Sequence, residues 1–158
     1  MSKPVLKDLF TAGFAAGVTA GIAAELVDHV AFILDFAALR YVEWAGIVVF
    51  GHKPHGPGEF IIAQSLQLFF SGIVGIIFAY LLLLVTNKNL LFKGWVYAIL
   101  SWFALRGLAK TCNLSMLDLD FATALANIVN VSVYGLLLAS LMHWLQKRYG
   151  SGNELKAN

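Results

Sequence analysis

Long apolar stretches are the feature that most constrains how this chain can fold. Four of them approach or exceed the roughly 20 residues that a helix needs to cross about 30 Å of hydrocarbon, and together they occupy most of the sequence. Hydrophobic residues make up 59% of the 158 residues, well above the usage typical of soluble domains. The sequence therefore predicts an all-α integral membrane protein, a four-helix bundle with short loops.

Turn-forming and charged residues set the bounds of the predicted helices. The first begins near Leu9 and is predicted to continue past Ala24 to about Leu39, because no glycine or proline stops it. The remaining helices are predicted at 60–85, 91–109 and 121–145.

The connections between the helices contain a short additional segment and a predicted helix N-cap. Residues 41–51 are too short to cross a membrane alone and are predicted to lie at the interface, before a loop rich in proline and glycine at 52–58. Asp118 or Asp120 is predicted near the N-cap of the last helix. The chain is predicted to form a single transmembrane domain over residues 1–149, followed by a disordered cytoplasmic tail at 150–158.

Lysine and arginine residues predict the orientation, because short cytoplasmic loops carry the excess of both. With the N-terminus inside, the inner set would be Lys3, Lys7, Lys88, Lys93, Lys147, Arg148 and Lys156. The smaller outer set would be Arg40, Lys53, Arg106 and Lys110. This bias predicts a multi-pass protein with both termini in the cytoplasm.

Gly13, Gly17 and Gly21 recur at every fourth residue, so they share one face of the first helix. Such a face permits close approach of another helix. Two interpretations stay open: packing against a helix of the same chain, or a seam between copies of the chain.

Polar residues also gather on single helix faces. On the first helix and its predicted continuation, one arc would hold Glu25, Asp28, His29, Asp35, Arg40 and Glu43. The candidate ligand-binding cluster comprises Glu25, Asp28, His29, Gln64, Gln67, Arg106, Lys110, Asn127 and Asn130.

The predicted depth of these residues favours a polar cavity that faces outward and is closed below by apolar residues. Within it, Arg106 is predicted to pair with Glu25 or Asp28, because a charge inside a membrane needs a partner. The alternative is that these charges lie in the headgroup zone, where long side chains reach water at little cost.

Metal and cofactor motifs are weak. His29, His52 and His55 have acidic neighbours and form the one candidate metal set, although two of them lie in a loop without a helix to orient them. The single Cys112 excludes a disulfide within the chain. No cofactor is predicted, and no basic run indicates nucleic acid as a partner.

The end of the chain carries a family resemblance. Leu-Asp-Leu-Asp at 117–120 precedes a helix that contains Val-Tyr-Gly-Leu-Leu-Leu-Ala at 133–139. This arrangement resembles the last helix of the YqhR-like and YagU-like bacterial membrane proteins, and the plan of four short-looped helices is similar too. The chain departs from it by having Asp35 and Arg40 in place of a proline–arginine element. The resemblance implies a bacterial inner-membrane location and carries over no active site.

Three functions remain open from the sequence. The leading one is a membrane protein whose outward cavity binds a small ligand, ion or lipid headgroup, as a homo-oligomer, a transporter or a complex subunit. The second is an assembly subunit that docks through the face of Gly13, Gly17 and Gly21. The third is a membrane enzyme with Glu25, Asp28 or His29 as acid or base, which is least favoured because no nucleophile stands beside them.

Overall fold

The computed structural model describes residues 8–85, 88–112 and 119–154, with side chains to Arg148. Secondary structure in these ranges is entirely helical. The helices are α1 Leu9–Ile33, α2 Tyr41–Phe50, α3 Gly56–Leu84, α4 Leu90–Thr111 and α5 Phe121–Glu154.

Three of these helices, α1, α3 and α5, are long and apolar enough to cross a membrane. The helix α4 is not among them in the described part of the chain. It carries Lys93 near its start and Arg106 and Lys110 near its end. The prediction of a membrane protein is therefore supported by the three helices α1, α3 and α5.

The first helix ends at Ile33, so the prediction of a helix to about Leu39 was wrong. Asp35 adopts a left-handed backbone conformation with φ 55°, which aspartate tolerates better than most residues. The amides of Phe36 and Ala37 both donate to Ala31 O and close the helix end. Asp35 consequently leaves the polar face that was predicted for a continuous helix.

The predicted interfacial segment forms the ten-residue helix α2. Its start is fixed by two carboxylates: Glu43 accepts the amide of Arg40 at 2.9 Å, and Asp28 of α1 accepts the amide of Tyr41 at 2.9 Å. Gly51 ends the helix with φ 77°. At 1.5 Å per residue α2 spans roughly 15 Å, about half of a bilayer core.

Close packing of α1 against α3 answers the question left open for the glycine face. Gly13, Gly17 and Gly21 are all buried. Gly17 lies against Ser71, Gly72 and Gly75 of α3, and Gly21 lies against Ser71. A Cβ added at Gly17 would lie 3.0 Å from the Cα atoms of Gly72 and Gly75, and closer still to Ser71 O. The face is covered by α3 of the same chain, which leaves no room there for a docking partner.

The helices α4 and α1 both pack on α5, and α2 packs on α3. The helix α4 runs antiparallel along α5, with Gly94 beside Ala139 and Ala98 beside Gly135. The helix α5 also packs on α1, while α3 and α4 touch only slightly, chiefly through the Tyr97 hydroxyl, which donates to Val74 O at 2.7 Å. Contact between α3 and α4 is therefore much sparser than contact between α1 and α3, α1 and α5, or α4 and α5.

Apolar and polar residues occupy opposite ends of the bundle core. Leu138 and Met142 are fully buried at the end that holds the start of α1 and the later part of α5. The end nearest α2 holds the buried polar residues instead: Asp28, Ser71, Thr123, Asn127 and Asn130. This division matches the sequence pattern of apolar residues in one half of each helix.

The remaining helix ends differ moderately from the predicted ones. The helix α3 begins at Gly56, four residues before the predicted start, with Pro57 in its first turn. The helix α5 continues to Glu154, past the predicted end at 145 and into the predicted tail. Asp118 and residues 155–158 lie outside the described residues.

Candidate functional site

A buried polar face on α5 forms one wall of the site. Thr123, Asn127, Asn130 and Tyr134 follow one another at three- or four-residue spacing and are all buried, Asn130 to 3% exposure. Two of them hold neighbouring segments: the Thr123 hydroxyl accepts the Ala38 amide at 2.9 Å, and the Tyr134 hydroxyl donates to Ser71 O at 2.7 Å. This face fixes α5 against the end of α1 and against α3.

A cavity of about 90 Å³, here called the inner cavity, lies among all five helices. A single water needs roughly 10–15 Å³, so the space accommodates several waters or a small chemical group. Its polar lining consists of Glu25, Tyr41, Gln67, Ser71, Ser101, Asn130 and Tyr134. Most of the rest of the lining is apolar or aromatic and includes Phe70, Val74, Ala98, Trp102 and Leu105.

Three polar atoms of this lining are buried without a hydrogen-bond partner. They are Glu25 Oε1, the Tyr41 hydroxyl and Asn130 Oδ1. A buried polar group that makes no hydrogen bond costs about 1–3 kcal/mol, and most such groups in native proteins are paired. A water or a polar group of a bound molecule could pair with such atoms.

Tyr41 lines the inner cavity as a neutral phenol. Burial raises the pKa of Tyr41 far above its ordinary value, and the carboxylate of Asp28 raises that pKa further. The positive charge of Arg106 opposes both effects. A neutral phenol both donates and accepts, so Tyr41 can complement a partner of either kind.

A second space of about 220 Å³, here called the vestibule, lies between α1, the start of α2 and the start of α3. Its polar lining consists of Glu25, Asp28, His29, Arg40 and Gln64. Glu25 therefore lines both spaces. Its Oε2 accepts a hydrogen bond from Gln64 Nε2, which holds the carboxylate across the boundary.

The charged side chains that line the vestibule interact with residues next to them in the structure. Asp28 is 5% exposed and caps α2 through Tyr41, while His29 next to it is exposed. The Arg40 guanidinium lies over the rings of Phe32 and Phe60, 4.4 Å and 5.8 Å from their centroids.

The predicted ion pair of Arg106 with Glu25 or Asp28 is not among the ion pairs of residues 8–85, 88–112 and 119–148. The Arg106 guanidinium lies instead 4.6 Å from the centroid of the Trp44 ring of α2. Its charge still acts on Tyr41. The prediction was wrong about the partner because the two acids are engaged by Gln64 and by the Tyr41 amide.

Other members of the predicted cluster differ in position. Gln64 and Gln67 divide between the two spaces, and Asn127 is buried on the α5 face beside Asn130. Lys110 is exposed in the last turn of α4.

The three histidines do not form the predicted metal set. No group of three or more His, Cys, Asp or Glu side chains that could hold an ion occurs within the described ranges. The rings of His52 and His55 stack with centroids 4.8 Å apart, and His52 Nδ1 lies 3.8 Å from Glu59 Oε2.

Sequence reasoning missed part of the lining. Tyr41, Ser101 and Trp102 were not predicted as site residues. Ser101 and Trp102 lie on α4 between its charged ends, and Tyr41 was predicted only as the first residue of the interfacial segment at 41–51. A signal existed for Tyr41 alone, because a phenol at the first position of a short helix near two acids stands apart from an ordinary belt of aromatic residues.

Comparison of this chain with protein-family models, curated proteins and solved structures finds no match.

Proposed function

We propose that α4 also crosses the membrane, so that the protein is a four-span bundle of the bacterial inner membrane with both termini in the cytoplasm. Its 22 residues would extend roughly 33 Å, enough for a hydrocarbon core. Support comes from its packing along α5, a helix that is itself apolar enough to span. Lys93 and Arg106 stand near its two ends, where such side chains reach the interface.

Cysteine labelling tests this topology. Single cysteines at Ser2, Asn89 and Ser151, in a chain with Cys112→Ser, are expected to react with a membrane-impermeant maleimide from the cytoplasmic side. A cysteine at Gly56 is expected to react from the outside, because α3 separates it from Asn89. Reaction of the Gly56 and Asn89 positions from the same side would contradict the four-span arrangement.

We propose that the protein is a membrane binding protein or transporter that holds a small molecule in the inner cavity. The observation that carries this proposal is the set of three unpartnered buried atoms, Glu25 Oε1, the Tyr41 hydroxyl and Asn130 Oδ1, around one space. A bound molecule with hydrogen-bonding groups would satisfy them.

The vestibule supplies an aqueous approach to the same carboxylate. It is lined by Asp28, His29 and Arg40 and ends at Glu25, which also lines the inner cavity. Release of the Gln64 hydrogen bond would let the Glu25 side chain turn and join the two spaces. In the topology proposed above, the vestibule faces outward.

Reactivity of a cysteine in the cavity wall tests for a polar interior. In a Cys112→Ser background, Ser101→Cys would place a thiol in the inner cavity, and Ala104→Cys would place one on the exposed side of α4. N-ethylmaleimide, which crosses membranes, is expected to modify position 101 at least about tenfold faster, because a thiolate forms only in a polar environment. Equal, slow modification at both positions would contradict a hydrated cavity.

A further inference from the structure

The inner cavity has a definite chemical preference. Among its lining residues, Glu25 is the one that carries a formal charge, and the lining contains no lysine, arginine or histidine. Two of its three unpartnered atoms, Glu25 Oε1 and Asn130 Oδ1, are acceptors, while the third belongs to a phenol that accepts as well as donates. The lining therefore offers a carboxylate and neutral polar groups without a cationic side chain, so a positive charge would have to come from the ligand.

Aromatic rings complete this preference. Tyr41, Phe70, Trp102 and Tyr134 all contribute to the lining. The negative face of an aromatic ring attracts an organic cation, and the attraction grows when water is excluded. Arg106 lies over the Trp44 ring, and it is not a lining residue of the inner cavity.

The cavity is also reached from the side of the bundle. Phe70 of α3 and Leu105 of α4 line it and are nevertheless 40% and 38% exposed, so they form its rim. This rim lies between the two helices that touch only slightly. In a bilayer the exposed flank of α3 would meet acyl chains, which makes the rim an opening toward lipid.

We propose, on the basis of the function proposed above, that the ligand is a lipid-soluble amine whose ammonium group pairs with Glu25 while its apolar chain passes between α3 and α4. Asn130 Oδ1 and the Tyr41 hydroxyl take the remaining ammonium hydrogens. The rings around the cavity cover the carbons next to the nitrogen. The chain beyond them extends past Phe70 and Leu105 into the bilayer.

Carbodiimide competition in lipid nanodiscs tests this assignment with the full chain. Dicyclohexylcarbodiimide is apolar and modifies protonated carboxyl groups, so it would reach Glu25 from the lipid side. Mass spectrometry gives the modified fraction at Glu25, and Glu25→Gln removes that signal. Three competitors share one apolar chain and differ in the head group: decylamine, decanol and decanoate.

Decylamine is expected to slow modification of Glu25 by about tenfold or more at a concentration where decanol and decanoate change it less than twofold, because a charge-assisted hydrogen bond is stronger than a neutral one. Ser101→Phe, which fills the cavity, is expected to abolish the decylamine effect. Leu100→Phe, a matched change on the exposed side of α4, is expected to preserve it.

Two other outcomes would overturn the assignment. Equal protection by all three competitors would show that the cavity binds an apolar chain without preferring an amine. No modification of Glu25 at all would contradict access from lipid. Both outcomes leave the proposed function standing if the thiol at position 101 reacts with N-ethylmaleimide, whereas an unreactive thiol would count against the cavity itself.

Discussion

Replacing Gly17 with leucine is expected to unfold the bundle or to lower its free energy of unfolding by about 3 kcal/mol or more, the upper end of what overpacking a core costs. The backbone of α3 lies directly against Gly17, so there is no flexible side chain that could move aside. Because α1 and α3 both line the inner cavity, their separation would also disrupt the site. Thermal unfolding in detergent measures the loss.

A smaller matched pair separates packing from helix propensity. Gly17→Ala is expected to destabilise by about 1–3 kcal/mol, since its Cβ meets the Cα atoms of Gly72 and Gly75. Gly107→Ala adds the same methyl group on α4 where nothing lies within 4 Å, and is expected to stabilise by about 0.5–1 kcal/mol. Equal effects at the two positions would show that α1 and α3 do not approach as closely as described.

Replacing Asp28 with alanine is expected to lower the free energy of unfolding by about 1–3 kcal/mol, because it leaves the amide of Tyr41 without its acceptor. Loss of this hydrogen bond should also displace Tyr41. The thiol of Ser101→Cys should then react more slowly with N-ethylmaleimide. Asp28→Asn keeps an acceptor oxygen and is expected to lose less. Denaturant titration gives the free energy of unfolding of the unsubstituted protein, of Asp28→Ala and of Asp28→Asn.

The neighbouring exposed residue provides the control for Asp28. His29→Ala is expected to change the free energy of unfolding by no more than about 0.5 kcal/mol, as for most surface substitutions. If Asp28→Ala and His29→Ala were equally mild, the contact between Asp28 and α2 would not contribute to the fold.

Much of the bundle was predictable because it depends on local patterns. The apolar stretches predicted the long helices, and Asn127 and Asn130 were predicted to belong to one polar cluster, which the structure places on a buried face of α5. Binary patterning fixes which side of a helix turns inward. It says nothing about which helix lies opposite.

The errors that affect the site concern contacts between distant residues. The segment after α1 is held by Ala38 donating to Thr123, 85 positions away, and by Tyr41 donating to Asp28, 13 positions away. Neither bond leaves a local signal. Similarly, the glycine pattern could not identify α3 as its partner, and the depth of Arg106 could not reveal that the ring of Trp44 would lie against it.

The candidate site was predictable in its polar residues and not in its shape. Glu25, Gln67 and Asn130 were identified from their helix faces, and they do line one cavity. The space itself arises because α3 and α4 separate around it, which is a property of packing. Tyr41 joins the site only because Asp28 and Glu43 place the first turn of α2 over the end of the bundle.

The most direct measurement of the central claim is an experimental structure of the protein in native lipids at a resolution that shows bound waters and small molecules. We expect non-protein density in the inner cavity, within hydrogen-bonding distance of Glu25, Tyr41 and Asn130. A collapsed, dry cavity in which Glu25 pairs directly with Arg106 would contradict it.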